Sequence, residues 1–277
     1  MSAQLAGSDE KPSIGLVIGV MLVATIETLD ITVVNIALPH IMGSFGATPD
    51  QVTWMITSYV IATVIVMPIT GYFVSRFGRQ MTMYIGVIGF TVASVACGFS
   101  WSLASLVFFR FLQGAFGAVL VPISQSILLA AFPREKANQA MAIWGLAIME
   151  APVMGPVIGG YITEQWAWHW VFFINIPLGL LALFLVFDKN APIYIGKKVD
   201  ADWGGFLLLA IALASFQTVL DQGHMRHWFE SKFVWFFSWL ALCTFVSFVV
   251  RARGRADNFV DVRLFSDRNF TFGCLLM

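Results

Sequence analysis

Few residues of this chain could do chemistry, and two of them lie where a charge is least welcome. Glu27 and Asp30 stand three residues apart inside the apolar run Ile14 to Ile36, so on a helix they share one face. An acid at the centre of a bilayer costs about 2.5–3.5 kcal/mol on insertion scales, and such a carboxyl is by default an ion- or substrate-handling group. Arg110 falls in a second apolar run. Gln113, Gly114 and Gly117 follow it at i+3, i+4 and i+7, placing a cation, an amide and two smooth patches on one helix face turned toward a bundle interior. Lipid burial and a neighbouring guanidinium pull a carboxyl's proton affinity in opposite directions, so Asp30, with Glu27 beside it, is read as a group that loads and releases a proton. Glu150 is a further acid inside an apolar run. Three roles stay open for it: contact with a cationic substrate, coupling of a second proton, or a protonated carboxyl bonded to a neighbouring helix.

The elements that must position these groups are apolar helices. A span needs about 20 apolar residues to cross a hydrocarbon core of about 30 Å, and such runs occur at about 14–36, 52–74, 81–100, 104–130, 138–162, 168–187, 203–221 and 233–250. The composition agrees: 58% of residues are hydrophobic and 12% charged, against about 25% charged in an ordinary soluble domain. Backbone groups in lipid must be satisfied within each segment and no alternating pattern suggests a barrel, so the fold class is an all-α polytopic membrane helix bundle. The bilayer is its first partner. Lys and Arg gather at the N-terminus and in every second loop (Lys11; Arg76 and Arg79; Arg134 and Lys136; Lys189, Lys197 and Lys198; Arg251 onward), which places the N-terminus in the cytoplasm.

The organisation expected is a cytoplasmic tail 1–13, a six-helix half 14–187, a cytoplasmic loop 188–202, two further spans 203–250, a cytoplasmic loop 251–268, and the start of a ninth span 269–277. That last piece covers only about 13 Å of helix at 1.5 Å per residue, so the chain is expected to be truncated there. Zero formal net charge without long like-charge blocks argues against a nucleic-acid partner. Cys97, Cys243 and Cys274 lie singly in or beside apolar runs and are read as small buried hydrophobes. No metal-ligand spacing and no nucleophile-base set point to an enzyme. Trp54, Trp101, Trp166, Trp168, Trp203 and Trp228 near the span ends suit interface anchors.

Three local strings carry a family resemblance. Gly71-Tyr-Phe-Val-Ser75-Arg76-Phe-Gly78-Arg79, read as a tight loop after the second run, resembles the G-x-x-x-D-R-x-G-R signature of the major facilitator superfamily, with Ser75 in place of the acid. Arg110 to Gly114 resembles the R-x-x-Q-G signature of its fourth span. Ala151-Pro152-Val-Met-Gly155-Pro156-Val-Ile-Gly159-Gly160 is similar to the antiporter signature G-x-x-x-G-P-x-x-G-G, with Ala151 for the first glycine, a small-residue series that lets helices pack closely. Leu29-Asp30 to Pro39, Trp168 to Gly179, Leu220 to Gly223 and Val260 to Thr271 narrow the likeness to the fourteen-span drug:proton antiporters of EmrB type.

The resemblance implies a major facilitator fold in which this chain is the first six-helix half, two inserted spans and the opening of the ninth. It implies a role in proton coupling for Arg110, with a structural partner for a helix end as the alternative, and a secondary coupling or substrate role for Gln113. It implies a gating loop at Gly71, Ser75, Arg76, Gly78 and Arg79, although Ser75 weakens a charge relay there. The activity implied is proton-coupled export of hydrophobic drug-like compounds across the inner membrane. No cofactor is expected beyond the proton gradient, and a periplasmic adaptor of EmrA type with an outer-membrane channel is an implied partner. Uptake of a polar nutrient on the same fold, and a fragment that transports nothing, are the alternatives.

Overall fold

Caps and breakers set the helix limits. In the computed structural model, which describes residues 13–187, 201–254, 259, 267 and 271–273, Ser13 caps helix α1 (Ile14–Phe45) by accepting from the Leu16 amide. Gly46 ends it in the left-handed region at φ 59°. Thr48 and Gln51 form a capping box at the start of α2 (Pro49–Val66). A short 3₁₀ turn at Met67–Ile69 leads into α3 (Thr70–Phe77), and Gly78, at φ 83°, is the only residue between α3 and α4 (Arg79–Gly98). Ser102 caps α5 (Leu103–Gly117), which continues after a bend as α6 (Leu120–Ala131). Next come α7 (Ala137–Gln165), the short α8 (Trp170–Phe173), α9 (Asn175–Val186), α10 (Trp203–Gly223) and α11 (Lys232–Arg253).

Seven of these segments, with α2–α3 and α5–α6 each counted as one, are long and apolar enough to cross a bilayer. Where a full sixth span is expected at 168–187, the described helix is a shorter piece, Trp170–Val186, broken at Ile174. The first span runs to Phe45 rather than Ile36, because Pro39 is tolerated within the helix and no stop signal comes before Gly46. The loop expected over 71–80 is also corrected. Residues 71–77 are helical and the turn shrinks to Gly78, whose positive φ lets two helices meet without a linker. Trp168 is no interface anchor: it is 5% exposed and its indole N–H donates to Ser44 Oγ at 3.0 Å. The expected loops 188–202 and 251–268, the tail 1–13 and the ninth-span start fall largely outside the described residues.

The central helix is α1, which packs along α7, α9 and α6, while α2 packs on α5, and α4 on α5 and α9. The two extra helices form their own pair, with α10 laid against α2. Asp202 at the foot of α10 takes both Nε and Nη2 of Arg251 near the end of α11, at 2.7 and 2.8 Å, and Gln222 reaches Thr57 of α2 at 3.4 Å.

Close approach of α5 to α2 depends on Gly114. A Cβ there would collide with the backbone carbonyl of Tyr59, which cannot swing aside as a side chain would. Gly160 has open space around it. We expect Gly114→Ala to lower stability by about 1–3 kcal/mol through overpacking, although alanine favours a helix, whereas Gly160→Ala gains up to about 1 kcal/mol from helix propensity. Thermal unfolding in detergent reads both, and equal behaviour of the two variants would refute the tight α2–α5 contact.

Candidate functional site

Residues of α2, α4, α5 and α9 gather around Asp30 of α1, those of α5 and α9 in direct hydrogen bonds. Its carboxylate is fully buried on α1 and forms an ion pair with Arg110 Nη1 of α5, which is 1% exposed. The same Nη1 donates to Gln113 Oε1 at 2.8 Å, and Gln113 Nε2 donates to Asp30 Oδ1 at 2.9 Å, so the amide bridges the ion pair. The i, i+3 spacing of Arg110 and Gln113 makes this possible. From α9, Asn175 Nδ2 donates to Asp30 Oδ1 at 2.7 Å and to Ser94 Oγ of α4 at 2.9 Å; Ser94 in turn donates to the Phe172 carbonyl at 2.8 Å. The guanidinium lies over the Tyr59 ring of α2, 4.1 Å from its centroid. A planar, delocalised cation suits that stacked and bridged setting better than an ammonium.

Satisfaction is incomplete. Glu27 Oε2, Tyr59 Oη, Arg110 Nε and Asn175 Oδ1 are buried without a hydrogen-bond partner among the described residues. Glu27 lies one helical turn before Asp30 and is 5% exposed. Removing two charges from water costs several kcal/mol per ion, and a buried pair is weak evidence for stability. Buried acids, a buried cation and orphaned polar atoms are thus held together at a desolvation cost that the hydrogen bonds only partly offset.

The residues singled out from the sequence divide sharply. Asp30, Arg110 and Gln113 meet, and Glu27 is buried one helical turn away on α1. Glu150 does not: it is exposed on α7, on a face shared with Leu146, Met149, Val153 and Val157. Ala151, Gly155 and Gly159 form the opposite, buried face of α7 and receive α1, a Cβ at Gly155 running into Thr32 and one at Gly159 standing 3.1 Å from the Val33 carbonyl oxygen. Pro156 is exposed and Gly160 has no neighbour within 4 Å, so only part of that motif packs helices. Gly71, Arg76 and Arg79 are exposed around the Gly78 turn, and the Ser75 hydroxyl donates to the Tyr72 carbonyl at 2.8 Å. Asn175, Ser94 and Tyr59 carried no role in the sequence reading. The available signal was a neutral polar residue inside an apolar run.

Membrane-length helices around a buried ion pair define a multi-pass membrane protein. The chain belongs to the Major Facilitator Superfamily, whose family model matches residues 20–260. It is 37% identical over 254 residues to the fatty acid resistance protein FarB of Neisseria gonorrhoeae, covering 90% of this chain and 49% of that protein. It is 36% identical over 263 residues to the multidrug export protein EmrB of Escherichia coli strain K12, covering 94% and 51%. The chain thus spans about half the length of these relatives. In fold it is similar to the human organic anion transporter MFSD10 (TM-score 0.59, 14% identity, 87% of this chain and 72% of that one). It is likewise similar to a bacterial homologue of the lysosomal transporter Spinster in an inward-facing, occupied conformation (TM-score 0.59, 17% identity, 88% and 61%).

Proposed function

We propose that the chain serves a proton-coupled multidrug exporter of the inner membrane, not an enzyme, with Asp30 as the proton carrier. The carrying observation is the fully buried Asp30–Arg110 pair bridged by Gln113 and joined by Asn175. Protonating Asp30 dissolves the ion pair that ties α1 to α5. Binding and release of one proton thereby change the interaction between two helices, which is the differential contact a coupled conformational change needs. Glu27, one turn away and buried with Oε2 unpartnered among the described residues, is a second proton site. Hydrophobic compounds are the substrate class, in keeping with relatives named for multidrug export and fatty acid resistance. Glu150, exposed on α7 away from the ion pair, contacts cationic substrates. An adaptor of EmrA type and an outer-membrane channel complete the route in two-membrane cells.

The test uses the protein expressed from its own gene, reconstituted in vesicles that are acidic inside, with ethidium as probe. Antiport predicts that ethidium accumulates inside and that its addition collapses the pH gradient. Outward movement of ethidium together with protons, or movement without proton flux, would overturn the proposal. Glu150→Gln should weaken ethidium transport several-fold and leave export of an uncharged compound unchanged; equal loss for both removes the substrate role of Glu150.

A further inference from the structure

Both carboxylate oxygens of Asp30 face only donors: Arg110 Nη1 on Oδ2, and Gln113 Nε2 and Asn175 Nδ2 on Oδ1. That shell suits the ionised acid and opposes the protonated one, whose new O–H would point at an N–H. Something must reverse when the proton arrives. Gln113 is held in place, because its Oε1 accepts from Arg110 Nη1 and from Cys97 Sγ, and a reversed amide would set N–H against the guanidinium. Asn175 is held differently. Its Nδ2 serves two oxygens, those of Asp30 and Ser94, while its own Oδ1 is buried without a partner among the described residues.

Resting on the coupling role proposed for Asp30, we infer that Asn175 is a positioning residue whose side-chain amide turns over when Asp30 is protonated. Rotation by half a turn about Cβ–Cγ brings Oδ1 to where Nδ2 stood. There it accepts from the protonated Asp30 carboxyl, and from the Ser94 hydroxyl once that O–H swings away from the Phe172 carbonyl. Each partner is an oxygen able to act as donor or acceptor, so beyond the turn of the Ser94 hydroxyl no other side chain need move. The amide therefore supports Asp30 in both protonation states. Asn175 also opens α9 just after the break at Ile174, and Ser94 lies on α4, so the reversal reports the state of α1 to two further helices. The other charged or titratable groups facing Asp30 are Arg110 from α5, Glu27 from its own helix, Tyr59 from α2 and Cys97 from α4; none of them offers a free, reversible amide.

Infrared difference spectra across a pH titration of the intact protein, with carbon-13 in the asparagine side-chain carbonyls, test this directly. The expected result is one asparagine carbonyl band that moves to lower frequency in step with the Asp30 carboxyl band. That shift should be absent in Asp30→Asn and in Asn175→Ala. In Asn175→Ala, and in Asn175→Leu, the Asp30 carboxyl band itself should change frequency, since its amide partner is gone. A titrating Asp30 band with no asparagine response overturns the role of Asn175 alone. An Asp30 band that does not titrate overturns the coupling reading and this inference with it.

Discussion

Replacing Asp30 by asparagine is expected to reduce ethidium-dependent proton flux to the level of empty vesicles while the protein still inserts and purifies. Asparagine keeps the shape of aspartate and can still accept from Arg110, but it cannot take up a proton. The junction around residue 30 then has a single state. The ion pair joins residues 80 positions apart in the chain, so on the coupling role proposed for Asp30 its loss at each protonation is the step that changes how α1 meets α5. Transport at the normal rate by Asp30→Asn, measured with the same vesicles and the same pH step, would remove Asp30 from the mechanism. Persistent ethidium equilibration without proton movement would instead mark an uncoupled carrier, which the proposal also predicts for partial function.

The second large effect is on stability. Arg110→Met leaves the Asp30 carboxylate buried with two amide donors and no cation, and breaking a buried pair from one side costs about 3–5 kcal/mol. We expect a marked fall in the detergent melting temperature and in yield. Adding Asp30→Asn to Arg110→Met removes the stranded charge, and replacing a buried pair by neutral groups is often close to neutral. The double variant should therefore regain most of the lost stability and still fail to transport. That split distinguishes a mechanistic ion pair from a structural one. A double variant no more stable than Arg110→Met would show that the residues do not act as a pair.

The charged members of the site were legible before any coordinates because each violates its local context: an acid or a guanidinium inside a lipid-length apolar run asks for a reason. Gln113 came with Arg110 because i+3 spacing on a helix is geometry, not packing. Asn175 and Ser94 gave no comparable alarm, since a neutral polar side chain in an apolar helix can satisfy itself on its own backbone, as Thr25 and Thr63 do in part here. Glu150 gave the same signal as Asp30, yet lies on the exposed face of α7.

By itself, then, the sequence determined the helical class, all the long spans and the identity of the buried charges, because a bilayer imposes length and hydropathy on each segment separately and those are readable along one dimension. It did not determine how each helix is rotated about its own axis. That rotation turned Asp30 toward Arg110, Gly114 toward the Tyr59 backbone, Ala151 and Gly159 toward α1, and Glu150 away from all of them. Helix rotation is fixed by side-chain packing against neighbours distant in sequence. The sequence put Arg110 and Gln113 on one face and suggested a guanidinium beside Asp30; which atoms meet, and that Asn175 joins them, was decided by the tertiary structure.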